Sequence, residues 1–237
     1  MKTTDMDYVK DVAKTLLYLD VQETEIDFIL VHPFLSQRDM VLNNTDHEVL
    51  DILASPENLD KARKRFTELI EGSDDLWHIM FLMHKPYRPL LFKLCDNKLS
   101  KEDFAKALEY VWTGTENPNQ DPNVSISQWI KYFKKADKSL LMDEDDFAFY
   151  NSLSDNDPIT IFRGVGKDRE PYGLSWTVSI KTAKWFAKRW KNTEAYMFKT
   201  QCYKKDVLAY FNTRGEDELV VNVKALDKNN VERIELV

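Results

Sequence analysis

The stretch Ser154-Asp155-Asn156-Asp157-Pro158-Ile159-Thr160-Ile161-Phe162-Arg163-Gly164 divides the chain. Before it, apolar residues recur at the roughly 3.6-residue spacing of helices; after it, short runs of β-branched and aromatic residues bounded by Gly, Asn and charged turns read as strands. On the far side, Ile159 to Phe162, Ala195 to Tyr203, Val207 to Phe211, Leu219 to Val223 and Val231 to Val237 carry that strand pattern. One helix interrupts them, capped by Ser179, with Ala183, Phe186, Ala187 and Trp190 on one face and Lys181, Lys184, Lys188 and Lys191 on the other. On the near side, Met6, Val9, Val12 and Leu16 mark a first helix. Ser55-Pro56 opens a second that Gly72 stops, and Ser100 with Asp103 opens a third that ends at Gly114. Helical pattern resumes at Trp129 and Phe133, and again around Phe147 and Tyr150, beyond a turn-rich loop from Thr113 to Pro122. The fold class expected is therefore α+β: a helical region over residues 1–156 packed on a mixed, mainly antiparallel sheet over 157–237.

Charge follows the same division. Residues 157–237 hold 15 Lys and Arg against 11 Asp and Glu, whereas 1–156 hold 18 against 29. The acidic part disfavours nucleic-acid binding by the whole chain, and the basic end is open to a dinucleotide pyrophosphate or a local phosphate backbone. No apolar run approaches the roughly 18 residues that span a bilayer, and the first residues lack a signal-peptide pattern, so a cytoplasmic location without membrane partners is expected. Cys95 and Cys202 read as buried thiols. His32, His47, His78 and His84 share no ligand spacing with them, so no metal is expected. Neither a Walker loop nor a dinucleotide glycine fingerprint is present.

Chemistry-bearing residues fall in three segments. Arg163 ends an apolar strand before Gly164, where a planar, permanently charged fork of donors can meet a pyrophosphate or ribose; an ordinary salt-bridged arginine before a glycine turn fits the same residues. Ser175-Trp176-Thr177 places two hydroxyls on one strand face, able to orient the arginine, although strand propensity alone also accounts for Thr and Trp there. Glu216-Asp217-Glu218 follows the turn Asn212-Thr213-Arg214-Gly215 and sets two carboxylates at i and i+2. They share a face if the strand has begun, and can divide the work of stabilising sugar-centred positive charge and engaging an acceptor; a solvated acidic corner has the same composition.

Taken in order and setting, Phe162-Arg163-Gly164, Gly173-Leu174-Ser175-Trp176-Thr177 with the following Ala183-Lys184-Trp185-Phe186-Ala187, and Glu216-Asp217-Glu218 resemble the arginine-serine-glutamate class of ADP-ribosyltransferases over residues 157–225. The resemblance implies NAD as co-substrate, with Arg163 at the phosphate and ribose, the Gly164 backbone at the nicotinamide amide, and Ser175 and Thr177 supporting the pocket. Phe186 is then a candidate ring against nicotinamide, although its helical stripe also places it in the core. It further implies Glu218 as the catalytic carboxylate that offsets oxocarbenium-like charge, Glu216 as the group that engages the acceptor, and Phe211, Asn212 and Arg214 as acceptor-recognition residues. A threonine stands at the third position of the hydroxyl motif, where serine is frequent. The acceptor implied is a macromolecule, first a protein arginine and alternatively a nucleic-acid base. The family's habits suggest a toxin or phage-host conflict effector with an antitoxin or inhibitor as partner. NAD glycohydrolase activity, and a non-catalytic binding or inhibitor protein on the same scaffold, stay open. The loop from Trp112 to Asn123, with Glu116 and Asn117, is the candidate through which the helical part meets the NAD cleft.

Overall fold

Six strands build the sheet that carries these segments: β5 (Ile159–Gly166), β6 (Ser175–Thr177), β7 (Ala195–Cys202), β8 (Val207–Phe211), β9 (Glu218–Val221) and β10 (Glu232–Glu235), in the spatial order β10-β7-β5-β6-β9-β8 with every pair antiparallel. This is a computed structural model, and it describes residues 3–26, 28–42, 47–166, 172–189 and 195–236. The positions Trp190, Lys191 and Val237 of the expected helix and last strand lie outside the described residues. Every expected strand is present, and the register aligns Phe162, Thr177, Glu218 and Phe211 across four neighbouring strands. Directly opposed residues share a sheet face, so Thr177 and Glu218 lie on the face of Phe162, while Arg163, the next residue of β5, falls on the other face.

Helix α9 (Ile180–Lys188) begins as expected, with Ser179 accepting the Thr182 N–H on its hydroxyl. Ala183 and Ala187 are fully buried, and α9 lies so close to β5 that a Cβ on Gly164 would stand 1.9 Å from the Ala183 carbonyl oxygen and 2.6 Å from the Ala187 nitrogen. Both obstacles are backbone, so only glycine permits this approach.

The chain divides into two compact units. The first, residues 1–107 and 111–115, contains α1 (Met6–Leu17), β1 (Gln22–Glu23), β2 (Leu30–Val31), β3 (Arg38–Leu42), β4 (His47–Asp51), α2 (Pro56–Glu71), α3 (Leu76–Leu82), α4 (Arg88–Cys95) and most of α5 (Lys101–Gly114). Its helices start where the capping residues indicate: Ser55 accepts from Asn58 N–H and Ser100 from Asp103 N–H. A purely helical reading of this part is corrected by two antiparallel hairpins, β1 with β2 and β3 with β4. Strands of two to five residues are too short to register as a period-2 pattern.

The second unit, residues 108–110 and 116–237, adds α6 (Ile126–Lys135), α7 (Lys138–Leu141) and α8 (Glu144–Ser152) to the sheet. The division thus falls about forty residues before the change from helical to strand pattern, because α6 and α8 cover β8, all five residues of which are buried. Phe133 meets Phe211 with ring centroids 6.4 Å apart, and Phe149 stacks on Tyr210 at 4.0 Å. The Lys138 ammonium joins α6 to the sheet edge, donating to the carbonyls of Phe133 and Leu208. Both cysteines are buried free thiols, and among the described residues no helix is long and apolar enough to cross a membrane.

Candidate functional site

Ser175 is the junction of the three segments. Its backbone carbonyl accepts from Arg163 Nη1 at 2.6 Å, and its hydroxyl donates to Glu218 Oε1 at 2.6 Å. The expectation that a hydroxyl orients the arginine is corrected in its detail. The guanidinium, which offers donors alone, is met by the Ser175 backbone carbonyl, and the hydroxyl gives its one proton to the carboxylate. Charge-assisted bonds of this length are among the stronger ones a protein makes. Arg163, Ser175 and Glu218 are all half-buried, so the relay lies partly out of solvent without being sealed from it.

Thr177 also serves the third segment, by a different route. Its hydroxyl donates to the Glu216 carbonyl at 2.9 Å and accepts from Ser179 N–H at 3.1 Å, and at 5% exposure it is part of the frame. The shared strand face expected for Glu216 and Glu218 is not what joins them. β9 begins only at Glu218, and Asp217 between the two has a left-handed φ of 48°. A residue in that region interrupts strand alternation, and Asp is one of the few types that tolerate it. Asp217 is held there from two sides, its carboxylate accepting from Tyr210 Oη at 3.0 Å and its N–H donating to Asn212 Oδ1 at 3.1 Å.

Glu216 lies in a mixed field. Burial raises its carboxyl above the usual range, Arg214 and Arg189 act the other way, and Glu116 adds to the rise. Arg189 is itself paired with Glu116, 3.4 Å between Nη2 and Oε2, and lies over the Trp185 ring at 5.6 Å. Within the loop from Trp112 to Asn123, the described side-chain polar contacts of Glu116 and Asn117 are this ion pair with Arg189 and the Asn117 amide turned to Gln120 within its own turn.

The remaining candidates separate by exposure. Phe211 is 3% exposed and packs on Phe133, so it is core and not a surface for an acceptor; the strand runs to Phe211 and the turn starts after it. Asn212 organises that turn. Its carbonyl accepts from Gly215 N–H at 2.8 Å, and its own N–H donates to the carboxylate of Asp146 on α8 at 3.1 and 3.2 Å. Arg214 is exposed at the tip. Phe186 is half-buried and meets the exposed Trp185 nearly at right angles, ring centroids 4.9 Å apart and planes at 80°.

Two contributors carry no motif. Asp146, 5% exposed, anchors the acidic turn from a helix more than 60 positions away, and Asn119 accepts the Leu174 N–H at 2.6 Å. A buried aspartate at a helix start reads as a cap, and Asn beside Pro reads as a turn residue, so neither stands out along the chain. Among the described residues no three His, Cys, Asp or Glu side chains converge as a metal group. Compared with family models, with curated proteins and with solved structures, the chain matches none.

Proposed function

We propose that this protein transfers ADP-ribose from NAD to a nucleophile on a macromolecule. The observation that carries the reading is the relay through Ser175, which ties a permanently charged guanidinium and a half-exposed carboxylate to one residue. In this reading Arg163 takes the pyrophosphate. Glu218, held by the Ser175 hydroxyl, faces the positive charge that builds on the ribose carbon as its bond to nicotinamide breaks and the electron pair leaves with nicotinamide. The acceptor then forms a bond to that carbon and gives up a proton. Glu216, whose proton affinity burial raises, is the base placed beside Glu218 in sequence to receive it. A guanidinium is the acceptor that best suits an acidic turn of Glu216 and Asp217, which favours protein arginine over a nucleic-acid base.

Electrostatic preorganisation of this kind supplies on the order of 100- to 1000-fold per group. E218Q keeps an oxygen to accept from Ser175, so the fold should persist while turnover falls by about that factor. Purified protein incubated with adenylate-labelled NAD and a cell extract, beside E218Q, tests it. Label on a protease-sensitive, nuclease-resistant product made only by the wild type is the expected result. Free ADP-ribose alone would redirect the reading to NAD glycohydrolysis, and wild-type turnover by E218Q would end the assignment of Glu218.

A further inference from the structure

In the first unit, residues 32–37 and 83–87 meet around one imidazole. His84 N–H donates to the Pro33 carbonyl at 2.8 Å, and its Nδ1 lies 3.0 Å from the His32 carbonyl oxygen. A carbonyl oxygen only accepts, so Nδ1 carries the proton, and Nε2 of the neutral ring is left as an acceptor. The group facing Nε2 is the Ser36 hydroxyl, 3.3 Å away, which makes no other hydrogen bond among the described residues. A hydroxyl that gives its proton to an imidazole whose far nitrogen is held by a fixed acceptor follows the order nucleophile, base, orienting group. Here the orienting group is a backbone carbonyl in place of a carboxylate. The hydroxyl contact is long, as nucleophile–base contacts often are before substrate tightens them.

The backbone around the serine is held from both sides. The N–H of Leu35, just before it, donates to the His32 ring at 2.9 Å, and the carbonyl of Gln37, just after it, accepts from Ile52 N–H at 3.0 Å. The N–H groups of Ser36 and Gln37 have no hydrogen-bond partner among the described residues, which leaves two donors, adjacent in the chain to the hydroxyl, for an oxygen that gains negative charge. Ser36 and His84 are half-buried, and both line one cleft of about 380 Å³. Its walls include Phe28, Ile29, Val31, Leu35 and Tyr87, of which the first three are exposed. Apolar walls with a few placed polar groups, at this volume, are the make-up of a site for a small and largely apolar molecule.

We propose that Ser36 and His84 form a second catalytic site, one that hydrolyses carboxylic esters with a short apolar acyl group. Ser36 Oγ forms a bond to the acyl carbon as its proton passes to His84 Nε2; the bond to the alcohol oxygen then breaks, and the alcohol leaves with that proton. Water attacks the acyl-serine and gives a proton to Nε2, and the acid departs as Oγ takes that proton back. The test is hydrolysis of p-nitrophenyl butyrate by the full chain as wild type, S36A and H84A, with fluorophosphonate labelling read by peptide mass spectrometry. Wild type should release p-nitrophenol faster than buffer alone and carry the label on Ser36. S36A should lose both, and H84A should fall by about 100-fold or more, the share of a general base. If H84A does not fold, S36A, which removes a single oxygen, carries the decision. Hydrolysis by S36A at the wild-type rate, label on another residue, or a wild type no faster than buffer would each overturn the site. The acetate ester should be hydrolysed more slowly than the butyrate; equal rates that still require Ser36 would uphold the serine and histidine and remove the apolar cleft as the acyl pocket.

Discussion

His32 in the first unit and Glu218 in the second are both polar groups set among packed neighbours, and they are closed off in opposite ways. His32 is 1% exposed; Nδ1 accepts from the N–H groups of Phe34 and Leu35 at 3.1 and 2.9 Å, and Nε2 donates to the Leu17 carbonyl at 3.2 Å. Each of these partners is backbone, the two N–H donors fix the tautomer, and the ring has become part of the chain's own hydrogen bonding. Glu218 is half-exposed and takes a proton donor from a side chain on another strand, Ser175 on β6. Backbone closure makes a polar group structural; closure by a side chain with solvent still in reach keeps it able to bind. The first should answer to stability measurements and the second to turnover, as E218Q would.

Disturbing the sheet that carries Glu218, without touching the carboxylate, should cost the most. Gly164→Ala places a methyl against two α9 backbone atoms that cannot turn aside, so β5 or α9 must move. Overpacking of this kind costs about 3 kcal/mol. Thermal unfolding followed by circular dichroism should show a markedly lower midpoint, with loss of turnover in step. A G164A protein with unchanged melting would mean that α9 does not rest on β5 as described.

The counterpart in the first unit is acid sensitivity. Burial is the main cause that pushes His32 down to about 4, against the opposing pull of the Leu17 carbonyl. A group whose folded pKa lies below its unfolded value binds more protons when unfolded, so stability is complete above about 6.5 and drains away as pH falls toward about 4. A displacement of this size amounts to about 3 kcal/mol across the window. Melting midpoints measured from pH 7.5 to pH 4 should fall accordingly. His32→Asn, which keeps an oxygen for the Phe34 and Leu35 N–H groups, should flatten that fall and leave turnover at pH 7.5 within about twofold of wild type. That variant loses the bond to Leu17, on the order of 1 kcal/mol, and so starts from a lower midpoint. An acid limb as steep in the variant as in the wild type would remove His32 as its cause.

The same contrast explains what could be read along the chain. Ser55, Ser100 and Ser179 each cap a helix by accepting an N–H three residues ahead, so four consecutive residues contain the whole interaction. The order Arg163, Ser175, Glu218 was legible because it lies on strands whose apolar patterns are themselves local. Asn119 to Leu174 and Asp146 to Asn212 close over 55 and 66 positions, and nothing in the flanking residues announces the partner. Asp217 shows a third kind of loss: a shared face for Glu216 and Glu218 required the strand to have begun by Glu216, and it begins only at Glu218, after a left-handed residue that the spacing does not reveal.

The mildest change has an entirely local cause. Ser179→Ala removes the hydroxyl that accepts Thr182 N–H at 3.2 Å at the start of α9. Loss of an N-cap costs about 1 kcal/mol, which in a chain of this length lowers the melting midpoint by roughly 2 to 4 °C. The Ser179 backbone would still donate to Thr177 Oγ1, and Thr177 would still hold the Glu216 carbonyl, so the frame of the acidic turn is kept. Turnover by S179A should therefore track the wild type at temperatures well below its midpoint. If turnover instead falls tenfold while the midpoint moves only slightly, the start of α9 belongs to the site itself, and the Ser179–Thr177–Glu216 chain positions Glu216 and does more than support the sheet.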